Sequence, residues 1–265
     1  MLKGIDFSYG SGLTTTQIKN AGFQFVCRYL SGGNSKDISR TELENYLAAD
    51  IPVVFVWETT GTDMTSTANG VNDAKGAQAE LNALGAPGAV VFFAADEQAE
   101  PDLVGYLAGA ATVIGHGRTG VYGGLGSIQS AFNHGVVSFG WQTYAWSGGA
   151  WDDRALLRQT LNSVRVGPAT VDLDQAAYWA SSTILTAKND FGQWPRPVAP
   201  VPTPTPVPTP APTPPPVVPG TQSDWQYCTK CTSLFYGPRL AVSKCAAGGT
   251  HAVQAGDFNY SLNYS

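Results

Sequence analysis

Two sets of residues in this 265-residue chain have types and spacings that could do chemistry. The first is a series of acids and aromatic rings, each at or near the end of an apolar run. Asp6 follows KGI, Trp57 and Glu58 follow PVVFV, Asp96 and Glu97 follow AVVFFAA, Trp141 and Gln142 close VVSFG, and Asp172 lies in TVDL. One carboxyl group can protonate a leaving oxygen while a second acts as base or nucleophile, and aromatic faces stack on sugar rings, so this set suits work on a saccharide. The second set is Cys228-Thr229-Lys230-Cys231, then Cys245, then His251. Its spacing, C-x2-C-x13-C-x5-H, offers four ligands of the kind tetrahedral Zn2+ accepts. Three cysteines cannot all pair among themselves, and Cys27 sits in a distant apolar run where it reads as a small core residue. Parity therefore favours a metal over disulfides, and an oxidising compartment would shift the balance back.

The acids can act together only if the runs that carry them are neighbours. Apolar, β-rich runs occur at 3–8, 23–30, 52–58, 89–95, 120–123 and 136–143, with weaker ones at 155–160 and 170–173. Several are continuously apolar, as strands covered on both faces of a parallel sheet are. Helical patterns at 14–21, 39–49, 69–84, 101–115 and 126–134 lie between them, the second opening on the capping box Ser39-Arg40-Thr41-Glu42. Strand alternating with helix, with eight strands in all, predicts an α/β fold: a small (β/α)8-type, TIM-like barrel. The runs all lie within the first 194 residues, few for such a barrel, so one or more helices should be short or missing, most naturally within 152–167.

In a barrel of this kind the chemistry lies at the C-terminal ends of the strands. That rule selects Asp6, Glu58, Asp96, Glu97 and Asp172 as catalytic candidates. It selects Tyr9, Arg28, Trp57, Tyr122, Trp141, Gln142 and Trp146 as substrate-binding candidates. Tyr29, Gln159 and Asp174 also fall at strand ends, without an assigned role. The string Gly115-His116-Gly117-Arg118-Thr119-Gly120 fits G-x-G-x-x-G but follows a helix and precedes a strand, the reverse of a dinucleotide site, and reads as a helix C-cap and turn.

Thirteen of the 18 prolines fall between Pro195 and Pro219. Such a tract forms neither helix nor central strand, and in polyproline II geometry it would span up to roughly 80 Å. It divides the chain into a barrel at 1–194, a linker at 195–220 and a small Cys/His module at 221–265, stapled by metal or disulfides. The first part carries 11 basic and 18 acidic side chains, a net of −7 against −5 for the whole chain, and only 13% of all residues are charged. No basic stripe marks a nucleic-acid partner, and no apolar run is long enough for membrane insertion. No positive segment followed by an apolar one opens the chain, so a Sec signal peptide is not expected. The expected state is a monomer whose barrel needs no cofactor, with Zn2+ in the tail.

GIDFS, AVVFFAADEQ, GWQTYAW and VDLDQAA, in that order on successive strands, resemble the glycoside-hydrolase-like domain related to the family-25 lysozymes, or muramidases. The resemblance covers roughly residues 1–194. It implies a barrel acting on bacterial peptidoglycan, with Asp6, the acids after the fourth strand and Asp172 in the site. Muramidases of that family end strand four in Asp-x-Glu, whereas here the second position is Gln98, which cannot donate a proton as a carboxylic acid does. Either Glu97 or Glu58 replaces the missing acid, with Asp96 or Asp6 as base or electrostatic partner, or the barrel keeps a glycan groove without hydrolysis. The tail pattern WQYCTKCTSLFYG is similar to short modules behind hydrolase domains in secreted or phage-encoded actinobacterial proteins. Together these imply a phage endolysin that reaches the wall through a holin pore, or a protein exported by a non-Sec route. The alternatives are a non-catalytic wall-binding protein and a glycosidase on another polysaccharide.

Overall fold

The computed structural model describes residues 1–8, 12–60, 64–95, 102–176, 190–196, 220–253 and 259–264. The chain divides into two compact units, Met1–Val201 and Pro202–Ser265. In the first, eight strands close into a barrel in chain order. They are β1 (Leu2–Asp6), β2 (Phe25–Leu30), β3 (Val53–Trp57), β4 (Val91–Ala95), β5 (Thr119–Gly123), β6 (Phe139–Thr143), β7 (Leu157–Val166) and β8 (Ala169–Ala176). Five helices follow the first five strands: α1 (Thr15–Asn20), α2 (Arg40–Ala48), α3 (Thr67–Leu84), α4 (Leu103–Ile114) and α5 (Leu125–Asn133).

The expected repeat fails at its end. Residues 144–156 join β6 to β7 through turns, and only Gly167-Pro168 separates β7 from β8. Two residues cannot carry a chain back to the start of a parallel neighbour, so β7 and β8 form a hairpin. β8 consequently runs antiparallel to both β7 and β1, while β1 to β7 are parallel throughout. Gly167 takes φ +55° at this turn, a value that favours glycine.

Local chemistry explains the helix starts. Thr14 and Gln17 form a full capping box, with the Thr14 side chain accepting from the Gln17 N–H at 3.2 Å and the Gln17 Oε1 accepting from the Thr14 N–H at 2.9 Å. Ser39 caps α2 by accepting from the Glu42 N–H, yet the expected box stays half made. The Glu42 carboxylate is bound instead by Arg28, at 2.7 and 3.2 Å. Ser66 and Asp102 cap α3 and α4. These two helices pack closely because Gly70 and Gly109 stand at the crossing: a Cβ on Gly70 would lie 1.9 Å from the Tyr106 carbonyl oxygen, and one on Gly109 2.2 Å from that of Thr67.

Strand alternation sorts the core into two layers. Ile5, Val26, Leu30, Phe55, Trp57, Phe93 and Val121 face outward toward the helices. Phe25, Cys27, Val54, Val56, Phe92, Phe139, Trp141 and Leu157 fill the lumen. The N-terminal end of the barrel is closed by 190–196: Phe191 packs on Phe25 in the lumen, and the Trp194 backbone exchanges hydrogen bonds with Val53 at 2.7 and 2.9 Å.

The second unit holds a three-stranded antiparallel sheet in the order β10-β9-β11, from β9 (Gly220–Cys228), β10 (Ser233–Tyr236) and β11 (Tyr260–Tyr264). Its core is small, with Cys228, Phe235 and Cys245 buried and Cys231 and Leu240 packed on them. Among the described residues no helix is long and apolar enough to cross a membrane.

Candidate active site and metal centre

The lumen changes character toward the C-terminal ends of its strands. Below, it is Phe, Val and Leu; above, the same parity presents Asp6 on β1, Tyr29 on β2, Tyr122 on β5 and Gln159 on β7. β8 runs the other way but in register, so that Asp172 pairs with Asp6 and Asp174 with Gly4 and Gln159. Both β8 carboxyls therefore meet the Asp6 end of the barrel. Glu58, one residue beyond β3, is half-buried and ion-paired with Lys36 at 2.6 Å, and Lys36 lies over the Tyr29 ring.

Gln159 organises the group. Its Nε2 donates to Asp6 Oδ2 at 2.9 Å and to Asp172 Oδ2 at 3.3 Å, and its Oε1 accepts from the Tyr122 hydroxyl at 3.0 Å and the Thr143 hydroxyl at 2.7 Å. With both hydroxyls donating to the amide oxygen, the amide nitrogen must face the acids. Asp172 also accepts from the Ser163 N–H at 2.7 Å, and Asp174 Oδ1 accepts from Trp141 Nε1 at 2.9 Å.

Burial decides the protonation states. Asp6 is 3% exposed, and its carboxyl is raised from 3.8 to about 7 because burial penalises its charge. The Gln159 and Asp174 hydrogen bonds work against that rise, while the charges of Asp172 and Glu58 add to it. Asp174 is pushed well above the carboxylate range, by burial first and by Asp6 second. Asp172 is raised by burial, with the Ser163 N–H opposing. Tyr29 is also raised, again by burial, then by Asp6 and Glu58. A carboxyl titrating near 7 beside other carboxyl groups can give up or take a proton at neutral pH, as general acid–base catalysis requires.

Three residues expected at the groove, Arg28, Trp57 and Gln142, face away from the lumen. Arg28 has the opposite parity to Tyr29, and its buried guanidinium is spent on Glu42, the Phe7 carbonyl and the Phe7 ring. Trp57 points outward against α3, where a Cβ on Gly76 would meet its ring at 2.6 Å. Gln142 also faces out; its amide holds the 147–152 turn through the Ser147 hydroxyl, the Ala150 carbonyl and the Asp152 N–H. Trp146 is half-buried with its backbone and Cβ against Gly124, and the described contacts do not place its ring at the acids. Trp141 does face the lumen, but at 1% exposure it is a buried donor to Asp174 rather than a wall for a ligand. Tyr9, Asp96, Glu97 and Gln98 lie outside the described residues. Gln159 and Asp174, given no role from sequence, prove central; the period-two parity they share with Leu157 and Asp172 is the signal that would have picked them out.

In the second unit Cys228, Cys231, Cys245 and His251 bring their ligand atoms within 4.8 Å of one another. Cys228 Sγ lies 3.7 Å from Cys245 Sγ, and Cys231 Sγ 3.9 Å from His251 Nδ1. Zn–S bonds of about 2.3 Å at tetrahedral angles separate two sulfurs by about 3.8 Å, so the cluster has the dimensions of a closed Cys3His site. Burial alone would raise the Cys228 thiol, but N–H groups of Cys231, Ala252 and Lys230 and the His251 ring bring it down to about 5, a thiolate ready to bind a cation. Phe235 stacks on the His251 ring at 4.3 Å and orients it.

Comparison with known proteins bears on the barrel. The family described as the Rv2525c-like, glycoside hydrolase-like domain matches residues 16–178. Rv2525c of Mycobacterium tuberculosis, a candidate peptidoglycan hydrolase by name, is 30% identical over 212 residues, which are 72% of this chain and 84% of that one. The crystal structure of that Tat-secreted protein with L-tartrate superposes with a TM-score of 0.63 at 27% identity, over 72% of this chain and 98% of the other. The modular autolysin LytC of Streptococcus pneumoniae shares the fold at a TM-score of 0.51 and 14% identity, over 65% of this chain and 46% of its own.

Proposed function

Because the chain belongs to the Rv2525c-like glycoside hydrolase-like family, we propose that it is a glycoside hydrolase that cleaves the glycan of bacterial peptidoglycan at the C-terminal mouth of its barrel. The observation that carries the reading is Asp6, a buried carboxyl titrating near 7 and held by Gln159 beside Asp172, with Glu58 close enough for its charge to act on it. Asp6 exchanges the proton, and Glu58 is its partner carboxyl among the described residues. Asp96 and Glu97 keep the candidacy the sequence gives them. Tyr29 and Tyr122 supply the aromatic edge of the groove.

The Cys/His unit fits Zn2+, which Cys228, Cys231, Cys245 and His251 would hold as a structural ion with no open position. On the proline tract it works as a wall-targeting module that raises the local concentration of the barrel at its substrate. The Tat secretion of the Mycobacterium tuberculosis relative supports export by a non-Sec route over release through a phage holin.

The test is release of new reducing ends from purified peptidoglycan, with Asp6→Asn alongside. Hydrolysis predicts reducing ends from the unaltered protein and a loss of about 10²-fold or more in the variant. If the unaltered protein pellets with the wall but frees no reducing ends, it is a glycan-binding protein and the hydrolase reading is overturned.

A further inference from the structure

Asp174 is the polar group least explained by the site described so far. It is 1% exposed, sits one layer below the mouth and cannot touch a bound glycan. Its Oδ1 is satisfied by the Trp141 N–H, while its Oδ2 is buried with no donor supplied by the surrounding protein. Two polar groups face it, the Cys27 thiol of β2 and the carboxyl of Asp6, and with Asp6 it is in hydrogen-bonding contact. Two carboxylates cannot make that contact. It requires a proton between them, and the neighbours decide where the proton rests. Gln159 donates to Asp6, which favours the charged form there, and Asp174 is the more deeply enclosed of the two.

We propose that Asp174 is a positioning residue that stays a neutral carboxylic acid and donates its hydrogen bond to Asp6, so that the pair holds one fixed proton and Asp6 alone exchanges the other. The inference rests on the proposed role of Asp6 and adds what sets that role. The groups facing the pair are Cys27 and Tyr29 from β2, Glu58 with its Lys36 partner after β3, Tyr122 from β5, Trp141 from β6, Gln159 from β7 and Asp172 from β8. Ala94 faces it from β4, and Asp96 and Glu97 beyond that strand lie outside the described residues. Of the facing groups, Lys36 alone is a cation, and it is engaged with Glu58.

A neutral acid and an amide present the same pattern here: an oxygen that accepts from Trp141 and a donor aimed at Asp6. Asp174→Asn should therefore keep peptidoglycan hydrolysis within about threefold, whereas Asp174→Ala, which removes a hydrogen bond to a charged group, should lower it about 10- to 100-fold. An Asn variant as weak as the Ala variant, or an Ala variant with full activity, would overturn the proposal. A second readout needs no activity. Because the Asp174 carboxyl is raised on folding, it lends stability that is complete below the ordinary carboxylate range and lost as pH rises toward its folded value. Urea midpoints of the full chain measured from pH 4 to 9 should fall less steeply in Asp174→Asn than in the unaltered protein. Identical slopes would place the proton elsewhere and sink the idea, whether or not the barrel hydrolyses glycan and whether or not the Ala variant folds.

Discussion

In the proposed mechanism Asp6 ties activity and stability to the same proton. Its carboxyl rises from 3.8 to about 7 on folding, so it contributes stability that is whole below about pH 4 and lost as pH climbs through 7. Asp6→Asn removes that dependence, and its urea midpoint relative to the unaltered protein should improve between pH 5 and pH 8 while hydrolysis stays abolished. A midpoint difference that is flat across that range would mean Asp6 is charged throughout. Arg28 offers the contrasting case of a residue that the sequence places in the groove and the fold places in a wall. Its guanidinium is fully buried and its partner Glu42 is partly exposed, so Arg28→Met should cost about 2–4 kcal/mol in urea unfolding. KM should not change, since the side chain faces away from the mouth. The two residues differ in one bit of information, the parity of a strand. Sequence marks Asp6, Trp57, Arg28 and Gln142 alike as polar or aromatic groups at strand ends; which face each takes depends on where the pleat begins, and that is fixed by packing against the neighbouring strands.

At the scale of elements the first four helices and the first six strands were legible from local punctuation: Thr14, Ser39, Ser66 and Asp102 at N-caps, Gly85 at φ +82° after α3, and continuous apolar runs between them. The reversal of β8 was less so. Its evidence is the short Gly167-Pro168 turn, and a strict strand–helix alternation extrapolated past it hides the hairpin. The α3–α4 crossing is a further feature that composition cannot reveal, because glycine within a helix looks only like a weak position until the neighbouring backbone is in place. Gly70→Ala or Gly109→Ala drives a methyl into a carbonyl oxygen and should cost about 1–3 kcal/mol by forcing the helices apart. Gly126→Ala in α5 meets nothing within 4 Å and should instead stabilise by about 0.4–1 kcal/mol. Urea midpoints for the three variants test the distinction, and destabilisation by Gly126→Ala equal to the others would reduce the crossing argument to helix propensity.

For the whole molecule, the proposed division of labour can be tested through what each unit can stabilise by itself. The barrel has two apolar layers and a plug: Phe191 in the lumen, Trp194 paired to Val53, and Arg196 reaching Asp190 and the Gly117 carbonyl at the end opposite Asp6. Those layers give it an apolar core of its own. Among its described residues the second unit buries Cys228, Phe235 and Cys245 with little else, a core too small for such a unit without a staple. Metal removal should therefore separate the two. The full chain should carry about one equivalent of zinc, and Cys228→Ser or a strong chelator should lower it by more than half. Retention on intact cell walls should then fall at least tenfold, because binding by the barrel alone loses the gain in local concentration that the tether provides. Hydrolysis of short, soluble glycan fragments should be unchanged, since among the described residues the cluster takes no ligand from the barrel. Equal loss on walls and on soluble fragments would show that the metal supports the barrel itself, and zinc below half an equivalent in the untreated chain would return the cysteines to disulfide chemistry.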